Sequence, residues 1–223
     1  MCNVLYHEAV GSLIYASPGT CPDISFAVQT VSHFSTKPGL IHWDTVKWIF
    51  WYLKGTKDLW LLFGHAKMDL ARYADADGSM AEDRHAISRY TFIVHGGAIS
   101  WSTKGQEIVS LSTTESKYVV VTHTAKEALW LCSLIKQLFG TTLSPTTLYS
   151  DNQSAIALSK DHQYHACTKH INIHFHFICW IIEQGSIQVI YCPTDDMIVD
   201  TLTKALPSAK VKHFAAELRL SSA

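Results

Sequence analysis

A chain of 223 residues with 48% hydrophobic and 17% charged side chains can bury one substantial core, or one core with a small satellite. Its formal net charge of −1 excludes a global electrostatic pull toward nucleic acid, so any such binding must come from local patches. No apolar run is long and uninterrupted enough to span a bilayer. The six cysteines (Cys2, Cys21, Cys132, Cys167, Cys179 and Cys192) form no CxxC pair, and no basic segment followed by an apolar core opens the chain. The expectation is an intracellular protein with reduced thiols and no membrane role.

Residues 1–56 have helical spacing. Ala9, Leu13 and Ala16 recur at i, i+4, i+7; Ile24, Ala27, Val28 and Val31 do the same after Pro22–Asp23; Val46, Ile49, Phe50 and Leu53 share a face in a third segment. After Gly64 the pattern changes to strands, at 72–76, 90–95 and 98–102, with Gly96–Gly97 as a hairpin turn between the last two. SerThrThrGlu at 112–115 is a capping signal for a long helix from Thr113 to Phe139, with Tyr118, Val121, Ala125, Ala128, Leu129, Leu131 and Leu134 on its buried side and Gly140 as its stop. A strand at 146–150 feeds a helix at 152–159, a strand follows at 186–191 and a helix at about 195–205. Residues 171–178 alternate strictly yet also place Ile171, Phe175, Ile178 and Ile182 on one helical face, so pattern leaves helix and strand open. The order describes an α/β fold, a mixed sheet flanked by helices. A small helical unit precedes it, and the boundary falls at Lys54–Gly64.

Four acidic residues stand at the edges of apolar segments: Asp75, Glu115, Asp151 and Asp200. Asp75 and Asp151 end strands, where an open sheet presents functional groups; Glu115 lies in the first turn of a helix and Asp200 within the last one. Dispersed carboxylates gathered by a fold can hold two magnesium ions on a phosphodiester. Spacing alone fits equally ordinary caps and turns. His170, His174 and His176 include an i, i+4 pair with zinc-ligand spacing, but no acid of an HExxH motif and no cysteine pair completes it, which favours packing or surface histidines. GxSxG, GxxxxGKS/T and GxGxxG are all missing. Lys104, Lys117, Lys126, Lys136, Lys169 and Lys204 are scattered along the chain.

Longer motifs carry a more specific signal. TyrHisGluAlaValGlySerLeuIleTyrAla (6–16), CysProAspIleSerPheAlaVal (21–28) and TyrLeuLysGlyThr (52–56) resemble the segment that follows the polymerase in copia-type retrotransposon Pol polyproteins. AlaAspAlaAsp, GlyGlyAlaIleSerTrpSer, SerThrThrGluSerLysTyr, SerAspAsnGlnSerAlaIle and AspThrLeuThrLysAlaLeuPro resemble the ribonuclease H domain of the same polyproteins. The resemblance implies a ribonuclease H-like mixed five-stranded sheet at 65–206, a helical connection segment at 1–64 and a C-terminal tail at 207–223. It implies hydrolysis of RNA in RNA–DNA hybrids with two Mg²⁺ or Mn²⁺ ions held by Asp75, Glu115, Asp151 and Asp200, and a partner in the reverse transcriptase of the polyprotein. The hybrid would be recognised through its backbone and 2′-hydroxyls.

This chain departs from the family pattern at several positions. Family members carry a second Glu two residues after the first, where this chain has Lys117; Arg89 stands where Gly precedes the Tyr, and Gly78 where Trp is common. Cys21, Cys132, Cys167, Cys179, Trp48, Trp51 and His174 occupy family Arg positions, a pattern of single transitions from CG-initial codons. A decayed element copy, inactive and at most a nucleic-acid or protein binding domain, is therefore the alternative to an active nuclease.

Overall fold

The computed structural model describes residues 4–64, 70–77, 86–106, 110, 112–140, 145–160, 172–193, 197, 199 and 208–222, with only the backbone of 70–72, 76–77, 172–175, 208–209, 212, 214 and 222. The N-terminal unit holds α1 (Tyr6–Thr20), a single 3₁₀ turn (Pro22–Ile24), α2 (Ser25–Ser32) and α3 (Leu40–Gly55). Tyr6, Val10, Leu13, Ile24, Val28, Val31, Val46 and Ile49 form its core. The Tyr6 hydroxyl donates to the Val31 carbonyl at 2.7 Å, tying α1 to the end of α2. The inward stripe of α1 is Tyr6–Val10–Leu13–Ser17, so Ala9 and Ala16 only flank it. Phe50, expected on the inner face of α3, is exposed.

Strand β1 (Leu59–Leu61) pairs antiparallel with β7 (Leu220–Ser222), which closes the boundary segment onto the far end of the chain. Residues 208–217 form helix α7. They fall in the stretch expected as a tail, where no long apolar run announces them. The helix expected near 195–205 lies almost wholly outside the described residues.

The main sheet has five strands: β2 (Leu70–Asp77), β3 (Ile87–Val94), β4 (Gly97–Gly105), β5 (Thr146–Ser150) and β6 (Ile187–Tyr191). Their order is β4-β3-β2-β5-β6. The β2–β3 and β3–β4 pairs are antiparallel, and β2–β5 and β5–β6 are parallel. This is the expected mixed five-stranded sheet. Its parallel half needs crossovers, supplied by α4 (Thr113–Phe139), α5 (Gln153–Lys160) and α6 (Asn172–Glu183). Within the ambiguous segment, residues 172–178 resolve as helix: Ile178 and Ile181 are buried against α4 and the sheet. Strict alternation there was incidental, because a segment that crosses between parallel strands has no neighbour to ladder with.

One face of the sheet packs on α4, where Phe92, Leu148, Val189, Tyr118, Val121, Ala125 and Ala128 form the largest apolar cluster. Ser112 accepts the Glu115 backbone N–H at 3.1 Å to start α4, and Gly140 ends it in the left-handed region at φ 67°. The other face meets the N-terminal helices. The Trp101 indole donates to the Ser17 carbonyl at 2.9 Å, and the Arg89 guanidinium lies 5.8 Å from the centre of the Phe26 ring. The helical unit is therefore docked on β3 and β4.

The Gly96–Gly97 signal divides into two functions. The hairpin turns on His95 (φ 51°) and Gly96 (φ 79°), a pair of positive φ angles suited to a tight two-residue turn. Gly97 already belongs to β4 and is needed for room, since a Cβ there would lie 2.6 Å from the Leu62 carbonyl oxygen and 2.7 Å from the Phe63 ring. Gly97→Ala must push the 62–63 backbone off the sheet; thermal or urea denaturation should show a loss of about 1–3 kcal/mol.

Candidate active site

The site is built at the C-terminal ends of two parallel neighbours. Tyr73 of β2 and Tyr149 of β5 are in register, and their rings stack with centres 5.1 Å apart. Asp75 comes two residues further along β2, and Asp151 directly follows the end of β5 at Ser150. Parallel strands are spaced about 4.8 Å apart, so the fold forces two carboxylates together. Asp75 is buried, and Asn152, just after Asp151, caps α5 by accepting the Ala155 N–H at 2.8 Å. That cap fixes the strand-to-helix corner that carries Asp151.

The N-terminal turns of α4 lie across this corner. Lys117 reaches between the two aspartates: its Nζ donates to Asp151 Oδ1 at 2.5 Å and Oδ2 at 2.6 Å and makes an ion pair with Asp75 Oδ1 at 3.2 Å. All three side chains are mostly sequestered, Lys117 at 17% exposure, Asp75 at 10% and Asp151 at 13%. Burial alone would lower the Lys117 pKa, but the charge of Asp75 and the hydrogen bonds and charge of Asp151 outweigh it and hold the ammonium above the ordinary lysine range. The lysine is a fixed cation at every physiological pH.

A second positive group shares the sheet face. Arg89 of β3 stands directly across the ladder from Asp75 and is 1% exposed. Directly opposed residues of an antiparallel pair project to one side. Two aspartates and two cations sum to a formal charge of −2 + 2 = 0.

The four expected carboxylates fare differently. Asp75 and Asp151 converge. Glu115 is buried in the first turn of α4, two residues before Lys117. Asp200 lies outside the described residues. So does His170; of His174 only the backbone is described, and His176 is exposed on α6. The resemblance implies two divalent ions here, and Asp75 and Asp151, the two expected ligands brought together among the described residues, are both engaged by Lys117. An ammonium already uses three carboxylate oxygens, and among the described residues no three His, Cys, Asp or Glu side chains are grouped to hold a metal. Sequence reasoning noticed Lys117 and Arg89 only as departures; the signal that would have placed them is helix phase for the first and strand register with Asp75 for the second. Cys21, Cys132, Cys179 and Cys192 are free thiols.

A five-stranded sheet ordered β4-β3-β2-β5-β6, antiparallel on one side and parallel on the other, with acids ending its two central parallel strands and a long helix across one face, defines a ribonuclease H-like domain. The chain belongs to the copia-type retrotransposon Pol polyproteins, of which it is a segment. It is 44% identical over 211 residues to the retrovirus-related Pol polyprotein from transposon TNT 1-94 of Nicotiana tabacum, covering 94% of this chain and 16% of that polyprotein. To the polyprotein from transposon RE2 of Arabidopsis thaliana it is 37% identical over 218 residues, covering 96% of this chain and 15% of the relative. The chain thus spans about a sixth of the length of these curated relatives. No protein-family model matches it. Among solved structures, LC11 ribonuclease H1, isolated from compost by a metagenomic approach, is similar at 12% identity over 60% of this chain and 92% of its own, with a TM-score of 0.45.

Removing one partner of a sequestered ion pair is costly because the other charge is left unpaired. Lys117→Met should destabilise the fold at neutral pH by about 3–5 kcal/mol, measured by urea denaturation. Because the Lys117 pKa is raised on folding, its contribution is complete below the ordinary lysine value of about 10.4 and fades as pH rises through the higher folded value. The gap between wild type and Lys117→Met should therefore be constant at neutral pH and shrink only in that alkaline window.

Proposed function

We propose that this chain is a ribonuclease H-fold segment of a copia-type Pol polyprotein whose hybrid-cleaving centre is closed by its own lysine, leaving a domain that binds RNA–DNA hybrid without cutting it. The observation that carries this reading is the Lys117 ammonium, 2.5 and 2.6 Å from the two Asp151 oxygens and 3.2 Å from Asp75. Two-metal hydrolysis needs those carboxylates as shared ligands. A divalent ion placed about 4 Å from a fixed ammonium meets a repulsion on the order of 8 kcal/mol at an effective dielectric near 20. The ion would have to expel Lys117 before it could bind, and Arg89 would still oppose it.

What the chain's own residues do is hold the corner shut. Lys117 bridges both aspartates, Asn152 and Ser112 fix the two helix starts that frame them, and the Tyr73–Tyr149 stack packs beneath. On this reading Asp75 and Asp151 are retained in the positions that ligand chemistry would use, with Glu115 and Asp200 as the remaining members of the set implied by the resemblance. Hybrid RNA–DNA is the proposed ligand, recognised by backbone and shape, and the remainder of a Pol polyprotein the proposed neighbour.

A labelled RNA–DNA hybrid incubated with wild-type protein and Mg²⁺ or Mn²⁺ should stay intact. Lys117→Glu should gain metal-dependent cleavage, and Lys117→Glu combined with Asp151→Asn should lose it again. Metal-dependent cutting by the wild type that disappears in Asp151→Asn would overturn the closed-site reading.

A further inference from the structure

Deepening that reading, and resting on it for the identity of the ligand, we infer that a second site on this domain, the groove between edge strand β4 and the middle of α4, takes a backbone phosphate of a nucleic-acid strand. Its floor comes from two cross-strand pairs, Ser88 with Lys104 and Tyr90 with Ser102, and its roof from His123, Lys126 and Glu127 of α4; together they enclose about 390 Å³. The floor lies on the sheet face that elsewhere packs apolar side chains against α4. At the sheet edge that face changes to hydroxyls, which an apolar core does not require.

The lining selects the ligand. It has no aliphatic wall for an apolar molecule, and its two ammonium groups disfavour a metal ion. Glu127 is already engaged, accepting the Ser100 hydroxyl at 2.8 Å. Burial first, and then the charge of Glu127, push the Tyr90 pKa up, against the opposing hydrogen bonds of Ser102 and Ser100. The lining sets two lysines against one glutamate, and its hydroxyls are Ser88, which accepts from Gln106 Nε2 at 2.9 Å, and Ser102 and Tyr90, which hydrogen-bond each other. A tetrahedral oxyanion on a sugar is the ligand that such a set of donors and that volume accommodate. Lys126 is also restrained, its ammonium 5.5 Å from the centre of the Phe177 ring, which lowers the entropy lost on contact.

Position completes the case. His123 follows Lys117 by six residues on α4, a rise of about 9 Å, so a duplex lying over Asp75 and Asp151 can reach the groove with a neighbouring phosphate. Lys104 and Lys126, scattered in sequence, both line this groove. This also answers how a chain of net charge −1 could hold nucleic acid: through a local patch.

The test is equilibrium binding of a short labelled RNA–DNA hybrid to the full chain over a salt series. Lys104→Ala/Lys126→Ala should weaken binding several-fold at low salt and reduce the slope of log K against log[salt] by about one to two, while Lys136→Ala, an exposed change at the far end of α4, should leave both unchanged. Unaltered melting of the double variant establishes that it is folded. Inorganic phosphate and a 5′-mononucleotide serve as competitors: displacement only by nucleic acid assigns the groove to a strand, and displacement by phosphate alone at the same concentration would reassign it to a free anion and overturn the inference. Equal losses in Lys136→Ala, no loss in the double variant, or no hybrid binding by the wild type would also overturn it. The cleavage of hybrid by Lys117→Glu is scored separately, so the closed-site reading stands or falls on its own.

Discussion

The structure depends on one constraint, the enforced proximity of Asp75 and Asp151. β2 pairs in parallel with β5 through Arg72–Leu148 and Tyr73–Tyr149, and beyond that pairing Asp75 and Asp151 come close enough for one ammonium to reach both. The cation that sits between them in this chain is Lys117. A divalent ion binds and leaves; a side-chain ammonium is carried by α4 and cannot diffuse away. The same geometry that would assemble a metal centre therefore assembles a structural ion triad, and the helix that carries the lysine is packed through Tyr118, Val121 and Ala125 into the main core. Site and core are one mechanical unit.

Arg89 extends that unit across the sheet. It is opposite Asp75 on β3, and its guanidinium faces the Phe26 ring of α2, so the charge balance of the acidic corner and the docking of the N-terminal helices share a residue. Trp101, bonded to the Ser17 carbonyl, reinforces the same contact. The division at residue 64 that composition suggests is thus bridged in space by β3 and β4 on one side and by the β1–β7 pair on the other. We propose two sequence domains that are held as one body.

Much of this was legible in sequence because local rules and tertiary demands agree. The α4 boundaries follow from Ser112 and Gly140, and the β5–α5 corner from LeuTyrSerAspAsn, where Asn152 caps as its type predicts. Alternation failed at 172–178 because period two and period 3.6 coincide over so few residues, and only the need for a crossover between α5 and β6 decides the case. Phe50 shares the helical face of Val46, Ile49 and Leu53 by spacing but lies at its margin and is exposed, as much apolar surface is in small domains. Helix α7 went unseen for lack of a strong apolar stripe. In the site, Asp75 and Asp151 were visible as strand ends. That Lys117 reaches both was not, because it depends on how α4 lies against the sheet, which no local pattern encodes.

The most direct test of the central claim is nuclear magnetic resonance of the labelled wild-type chain titrated with Mn²⁺, whose unpaired electrons broaden signals of nearby nuclei. If Lys117 holds the space between the aspartates, the backbone signals of Asp75 and Asp151 and the Lys117 ammonium should persist unbroadened in excess Mn²⁺. Selective loss of those signals at substoichiometric Mn²⁺ would show an ion seated between the carboxylates, and would contradict the account.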